Sequence, residues 1–221
     1  MQIALLGAEC TGKTQLSHAL VHALSREGAD SAYAVPEVLR AWCVQQGRTP
    51  QPDEQEAIAH EQAQALRTAG ALAHTFTLAD TTPLMTAVYS DVLFQDPSLY
   101  PFALDHQRQY DLTLVMGLDL PWVADGVQRD GPVVRAQVDA RLRQVLDAQA
   151  LRYTVVYGIG AQRIDCALQA IAHHNPSRKG VKQAPPSNWQ WSCEKCSDAR
   201  CEHQLFSGLL RTASMRNRSA V

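Results

Sequence analysis

Short apolar runs alternate with amphipathic stretches along most of the chain. Gln2–Leu6 is an apolar run that ends at Gly7, which predicts a buried strand. Beyond a glycine loop, Leu16, Ala19, Leu20, Ala23 and Leu24 recur at helical spacing, with Gly28 where a C-terminal cap would fall. Ser31–Val35 predicts a second strand, stopped by Pro36. Residues Asp53–Ala73, rich in alanine and glutamine, predict a helix. Phe76–Ala79 reads as a third strand ending at Asp80, and Pro83–Phe94 as a helix. Leu112–Leu118 predicts a strand, and Val134, Val138, Leu142 and Val145 mark one face of the helix after it. Tyr153–Tyr157 is the last strand, and Ile164, Leu168 and Ile171 mark the last helix.

Strands buried on both faces and alternating with helices predict an α/β fold of three αβα layers around a mostly parallel sheet. The alternation stops at His173–His174. Residues 175–188, NPSRKGVKQAPPSN, have linker composition, and residues 189–221 form a short Cys-rich tail. The expected organisation is therefore a body over 1–174, a linker and a tail.

The 221 residues are 46% hydrophobic and 19% charged, enough apolar material for a sizeable core. No apolar run has the length of roughly 18–20 residues that spans a bilayer. MQIALLGAEC also lacks the basic segment that opens a secretory signal. A soluble, cytoplasmic protein is expected. Residues 1–174 carry 12 Lys+Arg against 19 Asp+Glu, so the body is acidic and suits nucleic acid poorly. Residues 175–221 carry 8 against 3, which leaves the basic tail open to an acidic partner or nucleic acid. Cys10, Cys43 and Cys166 are scattered, as isolated thiols are; Cys193, Cys196 and Cys201 cluster.

The candidate chemistry begins at Gly7-Ala8-Glu9-Cys10-Thr11-Gly12-Lys13-Thr14, which matches G-x-x-x-x-G-K-[ST] between a strand and a helix. Such a loop turns backbone N–H groups onto a phosphate at the positive end of a helix dipole. Lys13, the sole lysine of the first 174 residues, is placed to reach the β- and γ-phosphates, and the Thr14 hydroxyl to hold Mg²⁺. Cys10 reads either as a redox handle or as a small residue tolerated in the loop. ATP with Mg²⁺ is the expected cofactor pair.

Residues 15–174 contain no lysine and hence no Asn-Lys-x-Asp guanine reader, which argues against a GTPase. Asp80 is followed by Thr81-Thr82-Pro83, so no neighbouring glutamate is there to polarise a hydrolytic water. That favours transfer to a bound acceptor over hydrolysis. Glu37 and Arg40 follow the second strand, and in a parallel sheet Glu37 and Asp80 share the edge that carries the phosphate loop. Either carboxylate can orient or deprotonate an acceptor hydroxyl; Glu37 can equally be a helix-start carboxylate at the surface.

Between the fourth strand and the next helix lies DLPWVADGVQRDG, residues 119–131, followed by Arg135. Its glycines and arginines have the makings of a lid, with Arg129 and Arg135 over the transferring phosphoryl group. Trp122 can stack on an aromatic acceptor, with added cation–π energy on a cationic ring, or plug the edge of the core. Arg141 and Arg143 read as a solvated helix face. The GIGAQR turn, residues 158–163, falls where adenine rests in this topology.

GAECTGKT, PEVLR, DTTPL and DLPWVADGVQRDG together resemble the ribosylnicotinamide-kinase domain of NadR-type proteins. That P-loop, AAA-like group phosphorylates nicotinamide riboside with ATP. The resemblance covers about residues 1–174. It implies an ATP site at Gly7–Thr14, acceptor-facing roles for Glu37, Asp80, Trp122 and Asp125, and lid roles for Arg129 and Arg135. It also implies nicotinamide riboside as the small ribosyl substrate. Relative to full-length NadR-type proteins, the chain reads as starting at the kinase strand and as carrying an added tail. A kinase of another nucleoside and a nucleotide-sensing switch are the alternatives. In the tail, Cys193, Cys196, Cys201 and His203 make a Cys₃His set suited to structural Zn²⁺; an iron–sulfur or redox role and an incidental cluster are the other readings.

Overall fold

The fold is seen in a computed structural model of the chain, which describes residues 1–25, 31–72, 74–123 and 131–175. These residues fall within one compact unit, Met1–Lys179. Five strands form the sheet: β1 (Gln2–Leu6), β2 (Ala32–Val35), β3 (Phe76–Asp80), β4 (Leu112–Met116) and β5 (Thr154–Val156). They lie in the order β2-β3-β1-β4-β5, and every neighbouring pair is parallel. The αβα reading of the body is borne out. β1 is the central strand, so its carboxyl end opens at the middle of one sheet edge.

Alternation along β1 explains the layers. Ile3 and Leu5 face α1 (Lys13–Ser25) and α7 (Ala161–His174), in a core with Leu16, Leu20, Phe76, Leu114 and Ile171. Ala4 and Leu6 face the other side, with Leu84 and Val88 of α4 (Pro83–Phe94) and Ala103 of α5 (Tyr100–Gln107). Val138 and Leu142 of α6 (Pro132–Ala148) close that second core. Every residue of β3 and β4 is buried, as expected of parallel strands covered on both faces.

Two helices are not marked by an apolar pattern in the sequence: α2 (Val38–Gln46), of which the start alone is suggested at Glu37, and α5. Asp53–Ala73 resolves into a 3-10 turn, Pro52–Glu54, that leads into α3 (Gln55–Gly70). β4 ends at Met116, two residues early; Gly117 still donates its N–H to Val156 O, and the chain bends at Leu118. A Cβ on Gly117 would stand 2.4 Å from the Tyr157 ring. β5 is likewise shorter than Tyr153–Tyr157. Gly28, read as a cap, lies outside the described residues.

Candidate functional site

The phosphate loop leaves the end of β1 and enters α1. Gly7 has φ +149° and Gly12 φ +77°, and a Cβ on Gly7 would lie 2.9 Å from Met116 Cβ. Only glycine fits that combination of positive φ and close approach. Cys10 also takes a left-handed conformation, φ 55°, and its thiol donates to the Val123 carbonyl at 3.3 Å. Thr11 Oγ1 donates to Ala8 O at 2.7 Å and braces the loop from within. Lys13 is largely buried, and its Nζ donates to Gly7 O at 2.8 Å and Ala8 O at 3.1 Å. The ammonium thus lies across its own loop. Ala8 is buried, while Glu9 and Thr14 are half-buried at the mouth.

Asp80 ends β3 directly beside β1, in register with Leu5. It is 2% exposed, and its Oδ1 has no hydrogen-bond partner among the described residues. A buried carboxylate oxygen without a donor is costly unless a cation or donor arrives. The donor set here, a carboxylate oxygen plus the Thr14 hydroxyl, suits a hard cation such as Mg²⁺. The backbone around Asp80 is held firmly. Thr81 donates its N–H to Leu5 O, and Thr82 caps α4 by accepting from Leu84 N–H at 3.2 Å. Thr82 Oγ1 donates to Gln107 Oε1, and Gln107 Nε2 donates to Thr113 Oγ1.

Glu37 stands at the N-cap position of α2 and pairs with Arg40 at 3.4 Å. Its carboxylate is mostly buried, unlike the surface carboxylate of the alternative reading, and makes no cap hydrogen bond to α2. Buried Gln62 of α3 clamps the chain on both sides of it, accepting from Val38 N–H at 2.8 Å and donating to Pro36 O at 3.3 Å. Nothing in the sequence pattern singled out Gln62. Below Arg40, burial and the Glu37 charge raise the pKa of the Cys43 thiol. Cys10, Cys43 and Cys166 are free.

A cleft of about 320 Å³ joins the phosphate loop to the start of α2; Thr14, Asp80 and Arg135 are not among the residues that line it. Glu9, Cys10 and Lys13 of the loop line it together with Glu37, Arg40 and Cys43 of the α2 start. Gln51 ahead of the 3-10 turn, Gln55 at the start of α3, and Tyr89 and Phe94 of α4 also line it. Trp122 is absent from this wall. Its indole Nε1 donates to Glu9 Oε1 at 2.7 Å, and the same oxygen accepts from Gly131 N–H at 3.3 Å. Glu9, a loop residue, therefore ties down the chain on either side of residues 124–130. Asp125 and Arg129 fall in that stretch, outside the described residues. Arg135, on the α6 face that carries Val138 and Leu142, is 6% exposed; its Nε and Nη2 have no partner among the described residues. Arg141 and Arg143 pair instead with Asp91 and Asp139.

Arg163 is the residue whose role the sequence reading missed. It is 4% exposed in the first turn of α7. Its guanidinium donates to Thr11 O at 2.9 Å, Gly117 O at 3.3 Å, Gly158 O at 2.7 Å and Asp119 Oδ1 at 3.0 Å. Asp119 Oδ2 accepts in turn from Gly158 N–H at 2.6 Å. One side chain thus fastens the phosphate loop to the ends of β4 and β5.

A family model described as an AAA domain matches residues 2–163. The chain belongs to that AAA-domain family. Among solved structures, the chain is similar to NadR protein in complex with NR, at 20% identity and TM-score 0.67, over 84% of this chain and 53% of that one. It is also similar to NadR protein in complex with NAD and AMP-PNP, at 19% identity and TM-score 0.61, over 78% and 49%. A deoxyadenosine kinase from M. mycoides with bound dATP matches at 14% identity and TM-score 0.50, over 77% and 98%. The chain spans about half the length of the NadR chains it matches. No curated protein matches it in sequence. The AAA-like reading is thus borne out in family, and the NadR-like P-loop resemblance in fold. Among the described residues no helix is long and apolar enough to cross a membrane, and no cluster of His, Cys, Asp or Glu has the makings of a metal site. Cys193, Cys196, Cys201 and His203 lie outside the described residues.

Proposed function

We propose that the chain is a Mg²⁺-dependent kinase that transfers the γ-phosphoryl group of ATP to a hydroxyl of a small ribosyl acceptor, nicotinamide riboside foremost. The observation that carries this reading is the single cleft shared by Lys13 of the phosphate loop and by Glu37 and Arg40. A donor site and an acceptor site that open into one space are what transfer requires. The NadR structures with NR and with AMP-PNP, and the kinase with dATP, support it by analogy of fold.

In this reading the backbone N–H groups of Gly7–Thr14 hold the ATP phosphates, and Lys13 neutralises charge at the β- and γ-positions. Thr14 and Asp80 hold the metal ion, which when bound offsets charge on the phosphates. Glu37 takes the acceptor hydroxyl's proton and Arg40 orients it. Arg135, with guanidinium nitrogens lacking partners among the described residues, and Arg129 counter the charge on the phosphoryl group in flight. Trp122 and Asp125 contribute further contacts to the acceptor. The Asp80-Thr81-Thr82 sequence, with no adjacent carboxylate, favours an alcohol over water as acceptor. Riboside-dependent conversion of ATP to ADP by the purified protein tests the proposal.

A further inference from the structure

Gln55 is a buried polar residue at the start of α3. It is 3% exposed, yet its Oε1 has no hydrogen-bond partner among the described residues. An unsatisfied buried amide oxygen destabilises the fold, and a leucine at this position would avoid the cost. The same residue lines the cleft that also holds Glu37, Gln51, Tyr89 and Phe94. Apolar ring faces plus a few convergent polar groups are the usual make-up of a site for a planar ligand. A carboxamide offers an acceptor and a two-proton donor side by side, which fits an edge that carries an N–H group. A ring carboxylate would instead set its charge against the Gln55 oxygen and the nearby Glu37.

Resting on the kinase reading above, we infer that Gln55 is the specificity-determining residue of the acceptor site. It selects ribosides whose base bears a primary amide or amino group, with the ring against Tyr89 and Phe94.

Two matched pairs of ribosides test this: nicotinamide riboside with nicotinic acid riboside, and adenosine with purine riboside. Each is measured both by equilibrium binding and by ATP-dependent turnover. Wild-type protein should prefer the N–H-bearing member of at least one pair by about tenfold or more. Gln55→Leu should shrink that preference to within about threefold and leave KM for ATP unchanged, whereas Gln55→Glu, which keeps an acceptor oxygen, should retain it. A preference that survives Gln55→Leu, equal use of both members by the wild type, or no binding of any of the four overturns the assignment. Turnover without preference removes the Gln55 role and leaves the kinase reading standing. Preferential binding without turnover does the reverse.

Discussion

Arg163 donates to three backbone carbonyls and one carboxylate, so a single guanidinium sets how the phosphate loop sits against β4 and β5. A planar fork with five donors can do this; an ammonium cannot. Arg163→Met should therefore lower stability by about 3 kcal/mol, because it strips a buried pair and leaves carbonyls unpaired. It should also raise KM for ATP, since Thr11 belongs to the phosphate loop, and Arg163→Lys should recover only part of either loss. Urea denaturation and ATP kinetics of the two variants read this out; an unchanged midpoint in Arg163→Met would show the contact to be incidental. Arg163 was not legible in the sequence because its partners are backbone atoms as far away in the chain as Thr11. Gln62 was hidden for the same reason. The phosphate loop was legible because its chemistry and its backbone demands both fall within eight consecutive residues, Gly7–Thr14.

Among the elements, mostly apolar runs identified all five strands: β3 and β4 are buried throughout, and the edge strands β2 and β5 are short and partly exposed but still largely apolar. α2 and α5 escaped. In α2 only Cys43 is buried, so no apolar stripe forms. In α5 the buried face includes His106 and Gln107, and polar residues on an inward face erase the helical pattern. His106 has a consequence for stability. Burial lowers its pKa below 6.5, with the nearby Arg67 charge acting the same way and a hydrogen bond with the Ala63 backbone opposing. Its Nδ1 is buried and lacks a partner among the described residues. In the window between the lowered folded value and 6.5 the unfolded chain binds the extra proton. Stability contributed by neutral His106 is therefore complete above about pH 6.5 and falls as pH drops through that window. Thermal unfolding at pH 7.5 and 5.5 should show a loss on acidification that is smaller in His106→Gln. An equal loss in both proteins would assign the effect to other groups.

For the molecule as a whole, the order β2-β3-β1-β4-β5 gathers the parts from distant stretches of sequence. It places the phosphate loop, Asp80 and the turn bearing Glu37 at the ends of three adjacent parallel strands, where ligands of such sheets bind. Strand direction made Glu37 and Asp80 predictable partners of the loop; the aromatic and amide wall of the cleft was not predictable, since it depends on how α3 and α4 pack. For the tail we propose a structural zinc held by Cys193, Cys196, Cys201 and His203, on the strength of their spacing alone. Metal analysis of protein purified without added zinc should find about one Zn²⁺ per chain, lost in a Cys193→Ser/Cys196→Ser variant. Metal-free protein would remove the site and leave the body's assignment intact.

Under the proposed function, phosphoryl transfer to a ribosyl hydroxyl takes place within the cleft shared by Lys13 and Glu37. Its most direct test is product analysis after incubation with ATP, Mg²⁺ and nicotinamide riboside, in parallel with Lys13→Ala protein. ADP and a riboside monophosphate should form in equal amounts, with the rate reduced on the order of 10²–10³ in a Lys13→Ala variant that stays folded. Tight ATP binding without riboside-dependent ADP across a panel of ribosides, or full activity in Lys13→Ala, would contradict it.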